Sequence, residues 1–275
     1  MVLGLASAIS WGTGDFGGGL MSRRVAVYSV VLISQLVGMA IAVGMVVVRG
    51  EGVPSPADLG WSALAGTLGV IGITALYRGL AIGRMGIVAP VTGVLGAVIP
   101  VTAGMLFEGP PPTIVLVGIV LALVAVLLVT RVEDEGGGRS GLGLALLSGT
   151  CIGLFSLAIA QLSDGAVFGP LAVVRGVEAV LIAAVIVATK TVWRMPRRLV
   201  LPIVGIGVAD MAGNAFYILA IQAGALAVAS VMSSLYPVTT VILATVFLHE
   251  RVTRSHAAGI ALAATAIALI GIGSA

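Results

Sequence analysis

Residues 113–130 read TIVLVGIVLALVAVLLVT, eighteen residues without a charge, an amide or a proline. A helix rises about 1.5 Å per residue, so about 20 apolar residues cross a bilayer core of about 30 Å. Working outward from this stretch, comparable runs lie at 85 to 107 and 141 to 161, and further ones at 3 to 21, 27 to 48, 61 to 82, 167 to 189, 200 to 222, 226 to 248 and 256 to 273. The connections are short and hold the breakers: Pro54 and Pro56, Pro110 to Pro112, Gly136 to Gly138, and Pro196. The first run has no basic segment ahead of it, so it reads as a retained helix and not as a signal peptide. The sequence predicts an all-α integral membrane protein of ten transmembrane helices, with the lipid bilayer as its surroundings.

Composition agrees. Of 275 residues, 59% are hydrophobic and 9% charged, against about 25% charged in soluble domains. The net charge of +3 is too sparse for a nucleic-acid face, so no nucleic-acid partner is expected. Cys151 is the single cysteine, which excludes an intrachain disulfide and a cysteine metal site.

The chain repeats itself. Leu3-Gly4-Leu5-Ala6 recurs as Leu142-Gly143-Leu144-Ala145, and Gly14 and Phe16 meet Gly153 and Phe155 at the same offset. At an offset of 140, Ala75, Tyr77, Ala89 and Phe107 fall on Ala215, Tyr217, Ala229 and Phe247, and a two-residue slip brings Glu108 onto Glu250. The expected units are 1–132 and 141–275, each of five spans, joined by a linker at 133–140. Because five is odd, the second unit enters the membrane oppositely to the first, giving two inverted five-helix repeats around a central cavity, a design common among secondary transporters.

Charge placement tests the orientation, because cytoplasmic loops collect Lys and Arg. Loops after odd-numbered spans hold or adjoin Arg23, Arg24, Arg78, Arg84, Arg131, Arg139, Lys190, Arg194, Arg197, Arg198, Arg251 and Arg254, whereas the other face has only Arg49. Both termini are therefore expected outside the cytoplasm.

Several words of sequence resemble the EamA-type families of the drug/metabolite transporter superfamily: Ser10-Trp11-Gly12, the Tyr77 to Pro90 stretch around Gly86-Ile87-Val88-Ala89-Pro90, and Ala227-Val228-Ala229-Ser230 through Tyr236-Pro237 to His249-Glu250-Arg251. The resemblance covers essentially the whole chain. It implies a ten-helix bundle whose central cavity, lined mainly by spans 1, 3, 4, 6, 8 and 9, exchanges small metabolites, often by export. The chain departs from the pattern in Asp15-Phe16-Gly17, which stands where a Ser-rich continuation is usual, and in an amino terminus without basic residues.

An ionisable group inside a membrane span is a site hypothesis by default. Asp210 and Glu178 fall near the middle of spans eight and seven, and Asp15 lies nearer one end of span one. Asp210, Asn214 and Tyr217 stand at i, i+4 and i+7, which puts a carboxylate, an amide and a phenol on one helical face. Their counterparts in span three are Val70, Thr74 and Tyr77, so the charge appears once. A lone carboxylate that is neutral with a proton and charged without one can couple proton movement to substrate release, so Asp210 is expected to bind a proton or a cationic group. The competing reading is a purely structural bond to a neighbouring helix. Arg175 lies three residues from Glu178, and two arrangements are open: an ion pair within the helix, or an Arg175 that snorkels outward and leaves Glu178 facing the cavity. Asp15 is open between a functional acid and an interfacial cap. Trp11, Tyr77, Phe155, Tyr217 and Tyr236 are candidate cavity aromatics, with helix or lipid packing the plainer role for each. Gln35, Gln161 and Gln222 suit solute binding or interhelical hydrogen bonds equally, and Arg78 is expected to snorkel.

Pro90 and Pro100 are expected to interrupt span four and Pro237 span nine, with Pro90 and Pro237 as gating elements, because transporters place broken helices beside the substrate site. Other apparent motifs fail. Gly12, Gly14 and Gly17 satisfy G-x-G-x-x-G but lie in a membrane helix, and His249-Glu250 lacks the second histidine of a zinc site, so no metal, cofactor or enzyme chemistry is expected. Together these features predict a secondary transporter of the cytoplasmic membrane. Its substrate is a small metabolite, amino-acid-like or cationic and amphipathic, moved by alternating access in the export direction with proton coupling. A monomer suffices for the fold. An uptake permease or facilitative exchanger of the same fold is the alternative, and a helical channel or scaffold is the alternative of another class.

Overall fold

The computed structural model describes residues 1–82, 85–129, 141–193, 195–248 and 254–273. Among them the chain is helical, with no strand. The helices are α1 (Val2–Ser22), α2 (Val27–Arg49), α3 (Pro56–Ile82), α4 (Met85–Phe107), α5 (Thr113–Val129), α6 (Leu142–Ile159), α7 (Phe168–Thr189), α8 (Val200–Gln222), α9 (Leu226–Ser233), α10 (Tyr236–Leu248) and α11 (Arg254–Gly273). Span nine is the pair α9 and α10, so ten spans result. Five segments, α2, α3, α6, α7 and α8 with its preceding turn, combine enough length with mean hydropathies of 1.6 to 2.5 to cross a membrane on composition alone. The basic linker residues Arg131 and Arg139, with Arg84, Arg194, Arg251, His249 and Glu250, lie outside the described residues.

Helix ends follow local chemistry. The third helix starts at Pro56 and not at the apolar 61, because Ser55 and Asp58 form a capping box: the Ser55 hydroxyl accepts the Asp58 N–H at 3.1 Å, and the Asp58 carboxylate accepts the Ser55 N–H at 3.3 Å. The α7 N-terminus is capped from another part of the chain. Glu51 accepts the N–H groups of Phe168 and Gly169 at 2.8 and 2.9 Å, while Arg49 pairs with Glu51 at 3.5 Å and lies over the Phe168 ring. Glu108 likewise accepts the Leu226 N–H that opens α9, at 3.1 Å. Gln222 donates to the carbonyls of Ser163 and Ala166. All of these ties lie on the face of the even-numbered loops.

The proline expectation divides. Span nine breaks between Ser233 and Tyr236, immediately before Pro237, where the Leu235 and Val238 N–H groups bond three residues back at 3.4 and 3.0 Å in place of four. Span four does not break: α4 runs unbroken from Met85 to Phe107, through Pro90 and Pro100. A membrane helix gripped by its neighbours tolerates the missing hydrogen bond. Pro90 belongs to the second turn of α4, where the helix is only starting.

Packing crosses the halves of the sequence. The first helix α1 lies against α8, α9 and α10, and its counterpart α6 lies against α3 and α4. α2 packs on α7 and α8, α7 packs on α2 and α3, and α5 packs on α11. Exchanging each helix for the one five spans later maps this pattern onto itself. Gly66 of α3 abuts the Val174 carbonyl of α7, and Gly207 of α8 abuts the Ser34 carbonyl of α2, the same contact one repeat apart.

Candidate functional site

The two packed groups, α1 with α8 to α10 and α3 with α4 and α6, enclose a cavity of about 70 Å³. Trp11, Asp15, Gln35, Asp210, Asn214 and Tyr236 line one side. Glu178, Arg175, Phe155, Ile152, Leu76, Ile73 and Gly69 line the other. Ligand pockets usually hold about 300–1,000 Å³, so the cavity is contracted around its charges. The structure thus gathers three acids and the arginine from α1, α7 and α8 into one place. A larger hollow of about 620 Å³, between α2, α3, α6 and α7, holds no acid, and the exposed Arg78 lies on its wall.

Arg175 organises the charges. Its side chain is 3% exposed, so it does not snorkel. It reaches Glu178 at 2.8 Å, the first of the two arrangements their spacing leaves open, and also reaches Asp210 of α8 at 2.8 Å. A third partner, the side-chain amide oxygen of Gln35 in α2, accepts from the same guanidinium nitrogen. The Arg175 Nε–H has no acceptor among the described residues. Room for these groups comes from missing side chains: Gly38 faces the arginine stem and Gly69 faces the Glu178 carboxylate. In hydrocarbon such charges cannot be left to lipid, so α2 and α7 turn their polar residues inward. This is why spans two and seven contribute to the lining. The resemblance implied span four instead, and among the described residues it contributes none.

Asp210 is 15% exposed and its carboxylate also accepts the Asn214 amide at 3.2 Å, while that amide donates at 2.8 Å to the Asp210 backbone carbonyl. Asn214 is therefore engaged with its own helix. Asp15 has neither a hydrogen bond nor an ion pair among the described residues, although it lines the same cavity. Tyr236 lines the cavity with a buried hydroxyl that has no hydrogen-bond partner among the described residues.

The other two candidate tyrosines, Tyr217 and Tyr77, stand behind the wall. The Tyr217 hydroxyl meets the Ser230 hydroxyl of α9 at 2.8 Å, and its ring backs Trp11 with centroids 5.3 Å apart. Tyr77 points its hydroxyl at the Gly14 carbonyl of α1 at 3.5 Å, its ring lying against Gly18. Neither phenol reaches the cavity, so the i, i+4, i+7 face of α8 is shared between cavity and helix contact. Gln35 was open between two roles in the sequence. It makes an interhelical bond to Arg175 while lining the cavity, and its position one repeat length from Arg175 was a signal that could have paired them. Among the described residues no cluster of metal-ligating side chains forms.

Fold and site together define a polytopic membrane protein built around a charged central cavity. The chain belongs to the EamA-like transporter family, whose model matches residues 1–131 and 139–272. It is thereby a membrane transporter of the drug/metabolite transporter superfamily. A solved crystal structure is similar to it at a TM-score of 0.77, with 17% identity, over 98% of this chain and 96% of the other, a likeness of fold alone. No curated protein matches the chain.

Proposed function

We infer that the protein is a secondary carrier that exports a small amine-bearing metabolite across the cytoplasmic membrane by alternating access, in exchange for a proton. One observation carries this reading: among the described residues the cavity holds three carboxyl groups against one guanidinium, and Asp15, which has no ion pair or hydrogen bond among those residues, lines it. An unbalanced carboxylate in the membrane interior needs a proton or an organic cation. If it takes them in turn, proton entry drives amine exit. The apolar part of the solute would lie on Trp11, Phe155 and Tyr236, whose ring faces suit a cationic neighbour. Sequence alone put the proton or cation on Asp210; its engagement with Arg175 moves that role to Asp15 and leaves Asp210 as the second contact.

The basic loops supply the orientation: the face of loops 1–2, 3–4, 5–6, 7–8 and 9–10 is cytoplasmic, both termini lie outside, and the two units 1–132 and 141–275 insert oppositely. The Glu51, Glu108 and Gln222 ties then hold the external face together.

The test uses proteoliposomes with an imposed pH gradient, an internal pH dye and a panel of primary amines. Wild-type protein accumulates an amine against its gradient with proton movement and shows saturable counterflow, which an open channel does not. Asp15→Asn is expected to lower gradient-driven accumulation at least about tenfold, the cost of a lost buried charge contact. Wild-type accumulation in Asp15→Asn would remove the reading. Pro237→Ala restores the N–H that the break omits, and is expected to slow turnover several-fold while leaving half-saturation unchanged. An unchanged turnover would show that the break is no gate.

A further inference from the structure

Arg175 is the only cation lining the cavity among the described residues, and its bonds have a direction in the fold. Arg175 and Glu178 share α7, which packs on α3. Asp210 belongs to α8, which packs on α1, and Gln35 to α2, which packs on α8. The Arg175–Glu178 bond is therefore internal to one helix and the Gln35 bond joins α7 to α2, which pack on each other directly, whereas the bond to Asp210 crosses between the two packed groups. No other ion pair among the described residues joins those groups inside the cavity.

We propose that Arg175 is a tethered cation that occupies Asp210 in the empty carrier and clamps the two helix groups together until a substrate ammonium takes its place. The exchange conserves charge. When an ammonium takes Asp210, the guanidinium keeps Glu178 at 2.8 Å and is never left bare in a low-dielectric interior. Glu178 is thus the permanent counter-ion, and Asp210 the shared one. Two further features suit a side chain that swings: the Nε–H has no acceptor among the described residues, and Gly38 leaves the stem free of a facing Cβ. Arg175 is a positioning residue here, since it sets when the groups move and does not itself carry solute. The displacement by an ammonium rests on the function inferred above; the clamp does not.

The experiment uses the full chain with Cys151→Ser, reconstituted in lipid nanodiscs without added solute. Spin labels on exposed positions of opposite groups report each face, Arg78→Cys with Arg198→Cys for one and Asp164→Cys with Gly224→Cys for the other. Pulsed dipolar spectroscopy then gives the distance distributions. Asp210→Asn removes the crossing bond and leaves Arg175 paired with Glu178, so the fold is spared. It is expected to raise the population of a second, longer separation at one face several-fold. Glu178→Gln keeps the crossing bond and is expected to match wild type, and Arg175→Lys, which keeps a cation, is expected to restore most of the closed population relative to Arg175→Gln. An Asp210→Asn distribution equal to wild type overturns the clamp, as does a Glu178→Gln distribution as open as that of Asp210→Asn. Methylammonium, ethylammonium and phenethylammonium are then added to the wild type. Opening by any of them supports displacement. If none opens the wild type while Asp210→Asn is open, the clamp stands and the amine reading falls.

Discussion

Arg175→Met is expected to destabilise the protein by about 3–5 kcal/mol, the penalty seen when one partner of a buried ion pair is removed. The reason lies in what remains. Among the described residues Glu178, 3% exposed, loses its cation and keeps no other partner, and Asp210 retains only the Asn214 amide. The hydrogen-bond acceptor of Gln35 is stranded as well. Adding Glu178→Leu to Arg175→Met removes the worst of these unpaired charges, and Asp210, less buried at 15% exposed, keeps its Asn214 bond. Replacing both members of a buried pair by apolar groups is often neutral or better, so the double variant should recover to within about 1–2 kcal/mol of wild type. Unfolding in mixed detergent micelles, followed by circular dichroism, measures both. A double variant as unstable as Arg175→Met alone would show that the penalty comes from lost arginine packing and not from stranded charge. The same comparison separates stability from mechanism, because Asp210→Asn spares the Arg175–Glu178 pair and so tests the clamp in a folded protein.

Most of the architecture was legible because the membrane restricts the choices. A lipid-facing backbone must be helical, so a run of apolar residues gives both the element and its length. Helix ends agreed with the apolar runs wherever the two coincide, as at Val27, Met85 and Thr113. They parted where polar chemistry sets the end, as at Ser55 and Asp58, where the helix begins a turn before its apolar part. The break of span nine was legible from Pro237, but the continuity of α4 was not, since whether a proline bends a helix depends on the neighbours that grip it.

The site was legible as a set of residues and not as a set of partners. Scarcity singled out Asp15, Arg175, Glu178 and Asp210, and all four line one cavity. Helical spacing could join Arg175 to Glu178 but could not foresee Asp210, thirty-five residues away on another helix. That second bond engages Asp210 and leaves Asp15 as the cavity acid without an ion pair among the described residues. The same limit applied to the aromatics: Tyr77 and Tyr217 share a repeat position with each other, yet their hydroxyls are taken up by Gly14 and Ser230. Periodicity tells which side of a helix a residue occupies, and only packing tells what stands opposite.

Gly66→Ala and Gly207→Ala are expected to destabilise the protein by similar amounts, about 1–3 kcal/mol each, as overpacking does in a dense interior. A Cβ at Gly66 would stand 2.7 Å from the Val174 carbonyl and 2.9 Å from the Val177 Cβ. One at Gly207 would stand 2.7 Å from the Ser34 carbonyl and 2.9 Å from the Val37 Cβ. A backbone carbonyl cannot step aside without its helix, so each substitution pushes α3 from α7 or α8 from α2. Gly44→Ala is the control: it meets nothing within 4 Å in α2, and should be neutral or stabilising by about 0.5–1 kcal/mol through helix propensity. Unequal effects at Gly66 and Gly207, with one neutral and one severe, would argue that the contacts do not repeat in energy as they do in geometry. Val174 and Ser34 immediately precede Arg175 and Gln35, the residues that meet between α7 and α2. The two glycine contacts therefore set how closely the clamp is held, and each alanine is expected to widen the spin-label distances as well as to lower stability. A substitution that lowers stability and leaves those distances unchanged would uncouple helix packing from the cavity charges.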